Sequence, residues 1–404
     1  MDEDQDDAAT LRALRTVLDA GHLATPDDLP HVLALAAASV GWDATMYLVD
    51  QEQRVLVHAP VRGTPQAEPL SIEGTSAGRA FERVEPVRTA GGTGIWLPLL
   101  DGVDRLGVVH YTVPASTNLS DPDVEDRYRL LTHLTGHLVA AKTPYGTGLE
   151  RLTLLRPRTV ASELLHSLLP PRTFGCPGLV VSGILEPAYG VAADAYDLDV
   201  VGRTANLAIL DATGHDLRGT VLSAAALAAL RSARKEGRGL YDLARAVDDV
   251  VAQQGRHEVF ITGVLAELEV RSGRLRYLNA GHPAPLVMRH GKVAKELSGG
   301  RQIVFGLGRG EATIAEEHLE RDDVLVFYTD GITEARGADG AFFGLDRFTD
   351  LLERGAAAGL PAPETLRRVT HAVMEHQRGV LQDDATILVA HWSGGEELAL
   401  NASR

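Results

Sequence analysis

The sequence holds one cysteine, Cys176, in 404 residues. A single thiol excludes an intrachain disulfide framework and any Cys-rich zinc cluster. Basic residues are scarce. The 39 Lys+Arg stand against 55 Asp+Glu, a net charge of −16, which argues against general nucleic-acid binding through phosphate neutralisation. Lysine is confined to Lys142, Lys235, Lys292 and Lys295, so cationic contacts must come from arginine. No apolar run is long enough, without a charge, to span a bilayer. The opening MDEDQDDAAT is acidic where a secretory leader starts basic. These shortages point to a cytoplasmic protein with neither a membrane nor a nucleic acid as partner. What remains, 45% hydrophobic and 23% charged residues, is an ordinary globular composition, and the length predicts two or three domains.

Residues 1–10 read as a frayed acidic tail. The spacing of Leu11, Leu14, Val17 and Leu18 predicts a helix, and a second fits Leu29 to Val40. Strands at 45–49 and 54–59 follow, then a turn into a short helix at Gly74-Thr-Ser-Ala-Gly78. A hairpin is expected around Asp101-Gly102, and a long helix from Asp121 to Ala141 closes a unit spanning 11–142. Residues 143–178 read as a helical connector, broken by Pro144, Gly146, Gly148 and Pro157. Within it Val160, Leu164, Leu165 and Leu168 form one apolar stripe. That stripe suits either a short coiled-coil arm or a helix packed on a neighbouring domain. In 179–394, strands fit 179–186, 205–211, 259–270, 275–280, 284–288, 324–329 and 385–391. Helices fit 217–235, 240–254, 345–357 and 363–377. Hairpins with paired long helices predict an α+β fold of antiparallel sheets flanked by helices. Residues 395–404 are read as a C-terminal tail.

Four aspartates of this second half share one setting, the end of an apolar strand beside a turn. They are Asp194 in Val191-Ala-Ala-Asp-Ala-Tyr-Asp197, Asp211 in Leu207-Ala-Ile-Leu-Asp-Ala-Thr-Gly214, Asp330 in Val324-Leu-Val-Phe-Tyr-Thr-Asp-Gly331, and Asp383 at the start of a strand. Any one alone reads as a turn residue or helix cap. Four in one domain point to carboxylates gathered at a sheet edge, where they repel unless cations lie between them. Oxygen ligands select hard ions such as Mg²⁺ or Mn²⁺.

The ordered motifs resemble the metal-dependent PPM (type-2C) protein phosphatases, in particular their bacterial SpoIIE-like branch. The matching pieces are Leu168-Leu-Pro170, Glu186-Pro-Ala188, Ala192-Ala-Asp194-Ala-Tyr-Asp197, Asp211-Ala-Thr-Gly-His215, Asn279-Ala-Gly-His-Pro283, Tyr328-Thr-Asp-Gly-Ile-Thr-Glu-Ala335, Phe343-Gly344 and Asp383-Asp-Ala-Thr386. The resemblance implies a PPM-type β-sandwich flanked by helices over 179–394. It also implies two divalent cations, Mn²⁺ or Mg²⁺, with Asp211 bridging them and the Ala212 carbonyl as a further ligand. Asp330 and Asp383 would hold one cation, and Asp194 would bind directly or through water. Asp197, Asp384 and Gly214 would support the loops. His215 and His282 are candidates for proton transfer or for structural turns. The implied substrate is a phosphorylated anti-sigma-factor antagonist in a partner-switching pathway. Residues 11–142 more loosely resemble a GAF sensor domain, through Gly74–Gly78 and Ile95-Trp-Leu-Pro-Leu99 followed by Leu106-Gly-Val-Val109. That implies an unidentified small-molecule ligand, or dimerisation. A homodimer in which 149–169 transmits the sensor state is the matching expectation for regulation.

The family's Gly-Gly-Asp is Ala192-Ala193-Asp194 in this sequence, its Gly-His-Gly is Gly214-His215-Asp216, and Leu210 replaces a common Gly. Alanine does not adopt φ > 0 cheaply, so these changes motivate an alternative reading, a pseudophosphatase acting as a binding module. A metal-dependent phosphodiesterase is a weaker rival, with no base-binding feature to support it. A thiol phosphatase is excluded, because the Cys-x₅-Arg position after Cys176 is Ser182.

Overall fold

The computed structural model describes residues 3–186, 190, 193–214, 217–254, 259–308, 312–379 and 381–394. The chain divides into two compact units, one ending at Arg156 and the other beginning at Pro157. Among the described residues no helix is long and apolar enough to cross a membrane.

The first unit contains α1 (Glu3–His22), α2 (Leu29–Ala38), β1 (Asp43–Val49), β2 (Val55–Ala59), β3 (Leu70–Ser71), α3 (Ser76–Arg83), β4 (Val87–Arg88), β5 (Gly94–Asp101), β6 (Asp104–Thr112), α4 (Pro122–Lys142) and α5 (Gly148–Thr153). Helix α1 begins inside the segment expected to be a frayed tail. The sheet is antiparallel in the order β3-β2-β1-β6-β5-β4. Period-two alternation divides its faces. Met46 and Leu48 join the core with α1, α2 and α4, while Tyr47 and Val49 pack with the α3 cluster around Phe81. The Thr75 hydroxyl caps α3 by accepting from the Gly78 N–H. A Cβ at Gly78 would lie 1.6 Å from the Ile72 carbonyl oxygen, so only glycine fits this turn.

The second unit contains α6 (Val160–His166), β7 (Thr173–Cys176), β8 (Leu179–Glu186), β9 (Asp194–Val201), β10 (Thr204–Ala212), α7 (Leu217–Lys235), α8 (Leu240–Gln254), β11 (Ile261–Glu269), β12 (Arg274–Ala280), β13 (Leu286–Arg289), β14 (Lys292–Glu296), β15 (Arg301–Gln302), β16 (Ala315–His318), β17 (Val324–Tyr328), α9 (Asp330–Thr333), α10 (Leu345–Ala357), α11 (Ala362–His376) and β18 (Ala385–Trp392). One sheet runs β15-β12-β11-β10-β9, with β16 beside β12. The other runs β14-β13-β17-β18-β8-β7. Alternation again sorts the side chains. Leu325 and Phe327 of β17, with Leu388 and Ala390 of β18, face the first sheet and share its core with α7 and α8. Val326 and Tyr328, with Ile387 and Val389, face α10 and α11. The result is a four-layer α-β-β-α sandwich of the expected α+β class.

The expected connector is shared between the units. Leu149 of α5 is buried in the first core, and Leu165 of α6 in the second. The stripe does not act as one face: Leu165 is fully buried and Leu168 packs against the same core, but Val160 is 78% exposed. Thr159 caps α6 by accepting from the Ser162 N–H, which places Val160 in the first turn and on the outer side. Cys176, expected in a linker, is the last residue of β7 and pairs with Leu179.

Candidate metal centre

Asp194 opens β9 and Asp211 lies near the end of β10. Antiparallel pairing sets them directly opposite one another. The next strand places Thr262 of β11 opposite Asp211. Directly paired residues share a face, so Asp194, Asp211 and Thr262 form a row. Tyr196, on the same face of β9, reaches across to Gly183 of β8, where a Cβ would come within 2.5 Å of the ring. The row therefore points between the sheets, at one end of the sandwich.

The other sheet supplies Asp330, two residues after β17, and Asp383, two residues before β18. These strands are neighbours, so both aspartates emerge at one end. The turn after β17 is held tightly. The Thr329 N–H donates to the Thr386 carbonyl at 3.0 Å, and the Thr386 N–H donates to the Thr329 hydroxyl at 3.0 Å. A Cβ at Gly331 would lie 1.8 Å from the Asp384 carbonyl oxygen, which explains Gly after Asp330. Asp384 joins the two sheets: its carboxylate accepts from the backbone N–H groups of Ala193 and Asp194.

The electrostatics show that these carboxyls act on one another. Burial, then the charges of Asp211 and Asp384, hold the Asp194 carboxyl well above the usual range; the Thr386 and Thr329 hydroxyls act in the opposite direction. Asp194 Oδ2 is buried without a hydrogen-bond partner. Burial, then Asp330, Asp383 and Asp384, push Asp211 up to about 7. Asp330 is raised by burial and by Asp383 and Glu334. Asp383 is exposed and accepts from the Asp384 N–H at 2.9 Å. Among the described residues no three of these groups are already drawn together as they would be around an ion. The donor set nevertheless fits a hard divalent cation: it is all oxygen, mutually repelled, and contains an orphaned buried carboxylate atom.

Other residues named from the sequence take different places. Asp197 is three positions from Asp194 and so faces the other way, toward α7. There it accepts from Arg231 at 2.6 Å and Arg234 at 2.9 Å. His282 is a buried turn residue. Its N–H donates to Asn279 Oδ1, its Nδ1 lies 2.8 Å from the Thr262 hydroxyl, and burial lowers its pKa to about 3. Gly214 has φ of +99°, which suits glycine. Pro187, Ala188, Ala192, His215 and Asp216 lie outside the described residues. Ala193 does not adopt a positive φ; its carbonyl accepts from the Ser223 hydroxyl. The bulk of Leu210 is met by Gly263 directly across the ladder, where a Cβ would come within 2.7 Å of Leu210 Cδ2. Thr262, Thr329, Thr386 and the clasping role of Asp384 were not singled out from sequence, because each depends on cross-strand register.

Residues 202–393 match the family described as Stage II sporulation protein E (SpoIIE). The match spans 192 of the 404 residues, a little under half of the chain. The chain is 26% identical to Protein IcfG of Synechocystis sp. over 145 residues, 36% of this chain and 22% of that protein's length. It is 23% identical to Phosphoserine phosphatase RsbU of Bacillus subtilis over 232 residues, 57% of this chain and 68% of RsbU. Among solved structures it is similar to the SiaA-PP2C domain of Pseudomonas aeruginosa, with 22% identity and a TM-score of 0.49, covering 57% of this chain and 94% of that one.

Proposed function

We propose that the second unit is a metal-dependent phosphoserine/phosphothreonine protein phosphatase regulated by the first unit. The observation that carries this is the carboxylate row Asp194–Asp211, raised by Asp330, Asp383 and Asp384, with no cation among the described groups that act most strongly on it. Asp211, the Ala212 carbonyl, Asp330, Asp383 and Asp194 would hold the divalent cations, Mn²⁺ or Mg²⁺. When bound, the cations supply an acidified water and charge neutralisation for in-line displacement at phosphorus. The chain's own residues prepare for this. Burial and the neighbouring carboxylates raise both the Asp194 and the Asp211 carboxyls, so cation binding would displace protons from the pair. Asp384 fixes the Asp194 backbone, and the Thr329–Thr386 pair fixes the turn bearing Asp330. Local cations also reverse the field of a chain of charge −16 and so admit a phosphoprotein.

The substrate proposed is a phosphorylated anti-sigma-factor antagonist, and the place of action the cytoplasm. The relative's name, Phosphoserine phosphatase RsbU, supports the bond class. For the first unit we propose a GAF-like sensor over 11–142 that takes a small molecule. Tyr47, His58, Trp96 and His110 make a partly exposed aromatic row, with Trp96–His110 ring centroids 4.4 Å apart, and this supports the reading. Regulation through a homodimer and the 149–169 segment has a residue to act on. Arg231 donates to the Leu168 carbonyl, just beyond α6, at 2.6 Å and also to Asp197 of β9. A shift of α6 thus reaches the strand that begins with Asp194.

The deciding assay is Mn²⁺-dependent hydrolysis of p-nitrophenyl phosphate and of a phosphoserine protein, with and without chelator. Turnover that survives exhaustive chelation overturns the proposal. Phosphoprotein binding without turnover in either metal identifies a pseudophosphatase.

A further inference from the structure

The layer between the second sheet and helices α10 and α11 is filled at one end and hollow at the other. Phe348, Leu352 and Ala356 follow one another at four-residue spacing on α10, so they lie along one face of the helix. Phe348 is fully buried beside the Tyr328 ring, with centroids 5.0 Å apart, at the end of β17 that leads to Asp330. At the other end the same face presents only the methyl of Ala356. There the sheet and the two helices enclose a cavity of about 440 Å³. Its floor follows from register. Met288, Val324 and His391 stand directly opposite one another on β13, β17 and β18, and so share the face turned to the helices. Val326 and Val389 form the next row of the floor. The helices above approach closely: a Cβ at Gly355 would lie 2.5 Å from the Thr365 hydroxyl oxygen. The cavity lies at the opposite ends of β17 and β18 from Asp330 and Asp383, and it shares no residue with the carboxylate site.

The charges at the mouth answer one another. Lys292 donates to the Glu353 carboxylate at 2.6 Å, and the same carboxylate accepts the Val293 N–H at 3.1 Å. Asp322 is exposed, with Arg321 and His391 each 4.0 Å away. Two turns border the opening, and in each a polar residue takes the left-handed backbone, His290 with φ of +50° and Asp322 with φ of +67°. Histidine and aspartate tolerate that region better than most side chains. His391 stands apart from this rim. It is the one polar side chain among the five floor residues, it is partly buried, and among the described residues it makes no side-chain hydrogen bond. Burial lowers its pKa, with Asp322 pulling the other way, so at pH 7 the imidazole is neutral and offers one donor and one acceptor. A charged head group laid on this floor would lose water and find no unpaired counter-charge, whereas a hydroxyl or N–H group would find a partner. The volume lies within the range of small-molecule sites, which combine apolar walls with a few polar groups that fix orientation. We propose that this cavity binds a small neutral molecule whose apolar body lies on Val324, Val326 and Val389 and whose single hydroxyl or N–H group hydrogen-bonds to His391.

Equilibrium dialysis of the full chain against 2-naphthol at pH 7 tests this without reference to turnover, so its outcome is separate from that of the phosphatase assay. We expect saturable binding of one molecule per chain. The same ring system with a charged head, as 2-naphthoate or 2-naphthylmethylammonium, should bind about tenfold more weakly or worse. Ala356→Leu and Ala362→Leu enlarge side chains that line the cavity, and each should weaken 2-naphthol binding by about tenfold. His391→Phe keeps a ring but removes its hydrogen-bonding atoms, and should weaken binding by about fivefold. Circular dichroism checks the folding of each variant, and placing the changes on three different elements keeps the test valid if one of them folds poorly. Absence of saturable 2-naphthol binding overturns the proposal. So does binding that the folded variants leave unchanged, which would place the molecule elsewhere. Tighter binding of either charged probe also overturns it, by assigning the cavity to an ion.

Discussion

Strand β9 carries buried aspartates on both faces, and the two faces differ in the company they provide. On the outer face Asp197 is clasped by Arg231 and Arg234, and its charge is neutralised by the protein. On the inner face, three residues earlier, Asp194 meets Asp211 and Asp384, and one of its oxygens has no partner. Burial is similar for both, so depth alone does not decide whether a buried acid is neutralised. The separation comes from whether the fold supplies the opposite charge. Buried charges are retained only when paired or when they hold a cation.

The comparison breaks most readily at the inner face. Asp211→Asn or Asp330→Asn should lower Mn²⁺-dependent turnover by more than about 100-fold, since changes one shell further out already cost about 10–100-fold. The chelated protein should lose no thermal stability, because a repelled carboxylate has been removed. A variant that keeps its turnover, or that unfolds, would erase the distinction from Asp197. On the outer face Asp197→Ala should cost about 3 kcal/mol in urea unfolding, at the low end for breaking a buried ion pair, because Arg234 keeps Asp199. A loss below about 1 kcal/mol would show that the clasp contributes little.

A smaller effect is expected from pH. The Asp211 pKa is raised from 3.8 to about 7 in the folded chain, so the folded state binds more protons than the unfolded state between those values. The Asp211 contribution to metal-free stability is therefore fully present below about pH 4 and is lost as pH rises through about 7. Saturating Mn²⁺ should flatten or reverse that slope, and metal affinity should rise over the same window. Denaturation midpoints across pH 4–8, with and without Mn²⁺, check the sign. The smallest effect belongs to Asp384, which accepts backbone N–H groups. Asp384→Asn keeps an acceptor and should change turnover by less than about tenfold, whereas Asp384→Ala should cost about 1–3 kcal/mol of stability through unsatisfied amides.

Much of this was legible in the sequence. The apolar periodicity of Leu217–Lys235, Leu240–Gln254 and Leu345–Ala357 gave those helices their observed bounds, and Leu179–Glu186 its strand. Strand β9 was not read as a strand. Its sequence Asp-Ala-Tyr-Asp-Leu-Asp-Val-Val spends polar residues on both faces, so no alternation marks it. The four aspartates could be named because strand ends and Asp-Gly turns are local signals. That Asp194 and Asp211 face each other, that Asp197 turns to α7, and that Gly263 makes room for Leu210 all depend on register between distant strands. The start of α1 was missed because a run of acids reads as solvated tail.

The position of β18 carries a further consequence, for synthesis. It is the last strand of the unit, yet it lies between β17 and β8 in the middle of its sheet. Until it emerges from the ribosome, that sheet remains in two pieces and Asp384 is not present to join it to β9. Asp330 and the Asp194–Asp211 row are translated long before the element that brings them together. A nascent or prematurely terminated chain therefore exposes two unpaired strand edges and has no assembled centre. The two halves of the carboxylate cluster meet only with the insertion of this strand.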